Sequence, residues 1–113
     1  MCNTNDLNII LDKMLWVYKT VYRENLVDVY LYGSYARGDY EEDSDIDLVA
    51  IVRGNRPEVQ APLEDIWDVA GEFGLEHDIV VSPKVIPYDE FMEYKNELPY
   101  YRNIEIEGVK ISA

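Results

Sequence analysis

Little in this chain invites cross-linking: among 113 residues there is one cysteine, Cys2, and one histidine, His77. A lone cysteine excludes an internal disulfide framework, and the N-terminus MCNTNDLN lacks the basic-then-apolar pattern of a secretory signal, so a reduced, cytoplasmic protein is expected. No apolar run approaches the roughly 18 residues of a membrane helix, which speaks against a membrane partner. Five prolines and six glycines are too few for a collagen-like or low-complexity chain. No repeat with a period of about 20 to 50 residues is present, which excludes a solenoid. Basic residues are scarce as well: 10 Lys and Arg stand against 23 Asp and Glu, a net charge of −13. Phosphate backbones repel such a surface unless a local basic patch or a metal intervenes, so direct nucleic-acid binding is not expected.

What is present is enough apolar material for a core. With 48% apolar and 12% aromatic residues, the chain reads as a single domain over 1–113. A chain of this length buries about two-thirds of its surface on folding. The acidic excess is local: residues 39–78 carry 13 acids and two bases, whereas residues 1–38 balance at four of each.

Leu7, Ile10, Leu11, Met14, Tyr18 and Val21 recur at helical spacing and predict a helix over about 5–24, with Asn3, Thr4 and Asn5 as candidate caps. Leu26–Tyr32 reads as a strand ending at Gly33, and Ile46–Val52 as a second strand buried on both faces, with a short turn and helix between them. Pro57 and Pro62 fit a loop and the first turn of a helix whose Leu63, Ile66, Trp67, Ala70 and Phe73 share a face, with Gly74 as its stop. Leu75–Ser82 reads as a third strand, Pro87 and Pro99 introduce helices over about 88–96 and 99–107, and GVKISA closes on a short strand. The expected fold class is α/β (α+β): a small mixed β-sheet flanked by helices, with one side covered.

The segment LYGSYARGDYEEDSDIDLVAIV, residues 31–52, carries the candidate chemistry. Gly33-Ser34 directly follows a strand, where glycine permits a sharp turn and the amides opening the next helix, with the Ser34 hydroxyl, can seat a phosphate. Taken alone, a glycine-serine pair after a strand is in most cases a plain turn. The Gly33-x4-Gly38 spacing resembles that of a P-loop, but Asp39 and Tyr40 stand where Lys and Ser or Thr are required, which excludes that motif.

Asp45-Ile46-Asp47 opens the buried strand, so both carboxylates project to one face while Ile46 and Leu48 point to the other. Carboxylates so placed repel, and without a cation at least one should titrate high. A hard divalent cation relieves the repulsion, and a pair of them can clamp the entering and leaving oxygens of a phosphoryl displacement. Asp39, Glu41, Glu42 and Asp43 read as a solvated acidic loop. An EF-hand is excluded because Leu48 replaces its glycine and Gly54 its final glutamate. Asp78 stands in the apolar run LEHDIVVS, where burial is costly unless it is paired or metal-bound. It either joins Asp45 and Asp47 on one face, as a base or metal ligand, or is an exposed edge residue.

Together, Gly33-Ser34, Asp45-x-Asp47 and the later Asp78 resemble the nucleotidyltransferase superfamily of the DNA polymerase beta type. GSYARGDYEEDSDIDL is similar to the minimal nucleotidyltransferases of prokaryotes, and the leading helix, HDIVVSP and PYYRNIEIEGVKI extend the likeness over nearly the whole chain. The resemblance implies a mixed sheet with flanking helices, ATP as substrate, two Mg²⁺ ions, and transfer of a nucleoside monophosphate to a hydroxyl with release of pyrophosphate. It assigns Gly33 and Ser34 to the β and γ phosphates, Asp45 and Asp47 to metal, and Asp78 to the third acid. It leaves Arg37 either on phosphate or paired with the acidic run.

Ser44 reads as a turn residue, His77 as facing away from Asp78, and Cys2 as inert. Tyr88, Tyr94, Tyr100 and Tyr101 read as packing residues that could also serve a partner surface. Larger relatives carry an acceptor-binding domain for which this chain has no room. Minimal members, such as the MntA-type antitoxins, commonly pair with a HEPN-family ribonuclease toxin and adenylylate one of its tyrosines. An enzyme of that kind is therefore implied, and a polyanionic surface suits a basic RNA-cutting partner. Two alternatives stand beside it, an antitoxin that blocks its partner sterically and the catalytic subunit of a small-molecule nucleotidyltransferase. Because the carboxylates must be ionised to hold metal, activity is expected to fall at acid pH and to recover in part with excess Mg²⁺.

Overall fold

A computed structural model describes residues 4–112; Cys2 and Asn3, read above as an inert thiol and a candidate cap, lie outside them. Helix α1 (Thr4–Tyr22) buries Ile10, Met14, Val17, Tyr18 and Tyr22 along one stripe, with Asp6 in its first turn and Lys19 in its last, both favourable to the helix dipole. A 3₁₀ turn, Arg23–Asn25, leads into β1 (Leu26–Tyr32), then α2 (Ser34–Arg37) and β2 (Ile46–Val52). The bounds of β1 and β2 are those the apolar patterning predicts. The chain continues through α3 (Arg56–Gln60), α4 (Leu63–His77), β3 (Val81–Pro87), α5 (Tyr88–Tyr94), α6 (Pro99–Glu107) and β4 (Val109–Lys110). Asn55 caps α3 by accepting from the Glu58 amide at 2.9 Å.

The sheet order is β3-β2-β1-β4, with β2 parallel to β3 and antiparallel to β1. Central β2 is buried on both faces, as its near-continuous apolar run requires. On one face, Ile46, Leu48 and Ala50 meet Ile10, Met14 and Tyr18 of α1 and Ile66 and Ala70 of α4. On the other, Tyr30, Val49, Ile51 and Ile86 pack beneath Phe91 of α5 and Ile104 of α6. Helices therefore lie on both sides of the sheet, not one, because α5 and α6 each contribute an apolar anchor. Truncating a fully buried residue such as Leu48 to alanine costs about 2–5 kcal/mol.

Four expectations around α4 need correction. The helix does not stop at Gly74 but runs to His77, and ends at Asp78 in the left-handed conformation, φ 54° and ψ 49°. Gly74 is buried because the chain folds back over it: a Cβ there would lie 2.3 Å from the Ile79 carbonyl oxygen. The third strand is accordingly Val81–Pro87, not Leu75–Ser82, and Asp78 precedes it as an exposed cap. His77 therefore does not alternate with Asp78 along a strand. Its Nδ1 lies 2.9 Å from Asp6 Oδ1, tying the end of α4 to the start of α1. Trp67, placed by spacing on the buried face, is 44% exposed.

Candidate active site

The site forms where β1 ends and β2 begins. Tyr32, the last residue of β1, pairs across the sheet with Asp47. The chain then reverses at Gly33, whose φ of 75° and ψ of −154° lie in a region essentially reserved for glycine. A Cβ at Gly33 would stand 2.6 Å from Asp47 Oδ2, so the absence of a side chain is what lets the carboxylate lie against the turn. Beyond it, the Ala36 and Arg37 amides donate to the Gly33 carbonyl at 3.2 and 3.1 Å, closing a single helical turn that Gly38 terminates. Ser34 opens this turn, partly exposed.

Asp47 is half-buried and Asp45 exposed, while Ile46 and Leu48 are sealed in the opposite core, as strand alternation predicts. Burial pushes the Asp47 carboxyl above its ordinary value. Lys84 opposes that push, Asp45 adds to it, and Arg37 opposes it again. The expected repulsion between the two acids is thus present, but second to desolvation as an upward cause. Arg37 is exposed and engaged with acids: its Nε lies 3.2 Å from Asp39 and its guanidinium 3.7 Å from Glu107. The acidic loop is exposed as anticipated. It is shaped by Ser44, whose hydroxyl accepts from the Glu41 amide at 2.8 Å, and by Tyr40, which stacks on Tyr35 at 4.3 Å between centroids.

Asp78 is not brought into one cluster with Asp45 and Asp47. Among the described residues no three of His, Cys, Asp and Glu are gathered so as to hold a metal. Asp78 does lie at the same end of the sheet, since the Ile46 amide donates to the Val80 carbonyl at 2.9 Å. Two side chains outside the motifs stand near this corner, Lys84 acting on Asp47 directly and Tyr100 reaching Tyr32, the cross-strand partner of Asp47. Lys84 shares the Asp47 face of the sheet, and Tyr100 of α6 meets the Tyr32 hydroxyl at 3.1 Å. A lysine inside the apolar run VSPKVIP was the one sequence signal for this. A cavity of about 270 Å³ opens beside Lys84, Tyr100 and Tyr101. A larger one, about 480 Å³, lies between Trp67 of α4 and Val80, and neither Asp45 nor Asp47 lines it.

The chain as a whole has known relatives. Residues 11–111 match the family described as "Nucleotidyltransferase domain". The chain belongs to that family. Its enzymes are nucleotidyltransferases, and the matched span includes the Gly33 turn, Asp45 and Asp47. Three proteins of Methanocaldococcus jannaschii, each described as a "putative protein adenylyltransferase", are similar to it. One is 39% identical over 64 residues, 57% of this chain and 63% of its own length. A second is 35% identical over 94 residues, 81% of this chain and 63% of its own. The third is 29% identical over 90 residues, 80% and 82%. The chain thus spans less than two-thirds of the first two.

Among solved structures, a mutant MntA–HpeT toxin–antitoxin matches with a TM-score of 0.56 at 15% identity, covering 88% of this chain and 70% of that one. A toxin–antitoxin with AMP-PNP matches at 0.51 and 17%, covering 96% and 72%. At these identities the likeness concerns the fold, a mixed sheet flanked by helices. No helix among the described residues is long and apolar enough to cross a membrane.

The donor set suits a magnesium ion. Mg²⁺ prefers oxygen ligands, keeps several waters, and is commonly held by one or two carboxylates together with substrate phosphates. Asp45 and Asp47 are two such carboxylates on one face, one of them carrying an electrostatic burden that a cation would relieve.

Proposed function

We propose that this nucleotidyltransferase is a Mg²⁺-dependent protein adenylyltransferase. It transfers AMP from ATP to a hydroxyl, a tyrosine, of a HEPN-family toxin, and so acts in the cytoplasm as the antitoxin of a pair. The carrying observation is the contact of the Gly33 turn with Asp47, which sets a phosphate-sized turn against a carboxylate pair. The names of the M. jannaschii relatives and the toxin–antitoxin neighbours support the acceptor and the partner. The AMP-PNP complex supports the nucleotide.

In this reading Gly33 and Ser34 hold the β and γ phosphates, and Arg37 exchanges Asp39 or Glu107 for phosphate. A divalent ion on Asp45 and Asp47 would neutralise charge developing on the α-phosphate oxygens. The acceptor oxygen attacks the α-phosphorus, the bond to the β-phosphate oxygen breaks, and pyrophosphate leaves. The hydroxyl proton passes to a carboxylate, for which Asp78 is the candidate. The acidic surface draws in a basic partner, since complementary charge speeds encounter.

The test combines α-phosphate-labelled ATP, Mg²⁺, this chain and the protein encoded beside it on a gel, with Asp45→Ala/Asp47→Ala and Asp78→Asn in parallel. Label on the partner only with Asp45 and Asp47 intact is the expected result. A stable complex that takes no label from any nucleotide would overturn the reading in favour of steric blockade, and label on a small molecule alone would point to the free-acceptor alternative.

A further inference from the structure

Lys84 is the cation of this site that no motif includes. Its Cα sits opposite Val49 on β2, one step of the pleat inside the Asp47–Ser82 pair. Its side chain does not stay there. The Nζ lies 6.0 Å from the centroid of the Tyr32 ring, and Tyr32 is the cross-strand partner of Asp47. The ammonium therefore leans across β2 toward the end of the sheet where Asp47 and Gly33 meet. Beside Tyr32 stands the Tyr100 ring, 5.9 Å from the ammonium, and the two tyrosine hydroxyls are 3.1 Å apart. A cation within about 6 Å of a ring face is attracted to it, so the two rings, joined at their hydroxyls and with centroids 6.0 Å apart, form one aromatic surface against which the ammonium rests.

The second feature is what Lys84 lacks. Lys13, Lys95, Lys110, Arg37 and Arg56 each reach a carboxylate within 4 Å, whereas Lys84, like Lys19, Arg23, Arg53 and Arg102, forms no salt bridge among the described residues, and of these five it alone lies on the Asp47 face beside that carboxylate. In a chain with 23 acids, a lysine set against aromatic rings, within the field of Asp47 but in no ion pair with it, keeps its donors open to an anion from outside. Space for one is present, because Lys84 is exposed and lines the 270 Å³ cavity with Tyr100, Tyr101 and Arg56. The nucleotide of the proposed reaction brings several negative charges to a region whose own field is strongly negative. On the Asp47 face the countercharges are Arg37, already spent on Asp39 and Glu107, and Lys84.

We infer that Lys84 is a nucleotide-binding residue that contacts the phosphate chain from the β3 side, opposite the Gly33-Ser34 turn, with Tyr32 and Tyr100 positioning its ammonium. The inference rests on the nucleotidyltransfer reading above and adds to it a binding group that the Gly-Ser and Asp-x-Asp motifs omit. Because the contact is ionic, it should vanish with the charge and weaken with salt. Because the rings position the ammonium, removing one of them should mimic part of the loss.

The test is the affinity of the full chain for ATP with Mg²⁺, set beside adenosine, which offers the same base and sugar without phosphate. Lys84→Gln should weaken ATP binding about tenfold and flatten its dependence on ionic strength, leave adenosine binding unchanged, and be largely rescued by Lys84→Arg. Tyr100→Leu should weaken ATP binding to a smaller extent. Equal ATP affinity in wild type and Lys84→Gln would overturn the inference while leaving the nucleotidyltransfer reading intact. Equal losses for ATP and adenosine would overturn it too, by showing a packing role. A wild-type chain that binds no nucleotide would overturn both.

Discussion

Replacing Gly33 with alanine tests whether the turn and Asp47 form one unit. Two costs can be separated. The backbone at φ 75° and ψ −154° is held in a region open only to glycine, and an alanine forced there costs about 1–3 kcal/mol. The new methyl would also begin 2.6 Å from Asp47 Oδ2, which real Cβ atoms do not tolerate, so the carboxylate must leave its rotamer for about 0.5–1.5 kcal/mol more. Together these make about 2–4 kcal/mol, a large share of the roughly 5–15 kcal/mol that holds a domain folded. The melting temperature should fall by about 10–20 °C. The steric part alone depends on Asp47, so in a double-mutant cycle Gly33→Ala should cost about 1 kcal/mol less in an Asp47→Ala background. Denaturant melts of the four proteins measure this. Additivity within about 0.4 kcal/mol, the scatter of independent sites, would refute the proposed contact, and a fully stable Gly33→Ala protein would refute the turn as well.

Other outcomes follow from the same geometry. The carboxyl of Asp47 is pushed up by burial, so the folded chain retains its proton at pH values where the unfolded chain has lost it, and stability falls as pH rises from the ordinary Asp value through the raised one. Asp47→Asn should therefore raise the metal-free melting temperature at pH 7 by about 2 °C while abolishing label transfer, and the gain should disappear below pH about 3. Glu90 is the opposite case: its hydrogen bond from Arg56, seconded by the Tyr101 hydroxyl, holds it below the ordinary Glu value. Its contribution is complete above the unfolded pKa and is lost as pH falls through the depressed one, so Glu90→Gln should cost about 0.5–1 kcal/mol in urea melts at pH 7 and nothing at pH about 2. Tyr22 donates to the Val59 carbonyl in the core, and burial pushes its hydroxyl up to about 12. Tyr22→Phe should cost about 1–2 kcal/mol by orphaning that carbonyl, and an ultraviolet pH titration should lose a late-ionising tyrosine.

The parts of the fold that sequence reveals are those fixed by local pattern. Val49, Ala50 and Ile51 cannot be anything but a central strand once flanked by turn residues, and strand alternation alone puts Asp45 and Asp47 on one face and Ile46 and Leu48 in the core. The end of α4 was hidden because its stop is an aspartate in a left-handed conformation, whereas Gly74, the residue that looks like a stop, is there for close packing. The apolar residues around Asp78 then imitate a strand, while the real one carries Pro83 and Pro87 and looks broken. The gathering of Tyr32, Lys84 and Tyr100 depends on tertiary pairing over as many as 68 residues, which no spacing rule encodes.

Those two prolines have a consequence for assembly. The Val80 carbonyl faces β2, so by alternation Val81, Pro83, Val85 and Pro87 turn their backbone groups outward, and half of the donors an incoming strand would need are missing. At the opposite margin β4 is only two residues long. Both rims of the sheet are thus poor templates for an added strand. What remains open for recognition is the side chains of helices and loops, where an acidic surface favours basic groups over backbone pairing.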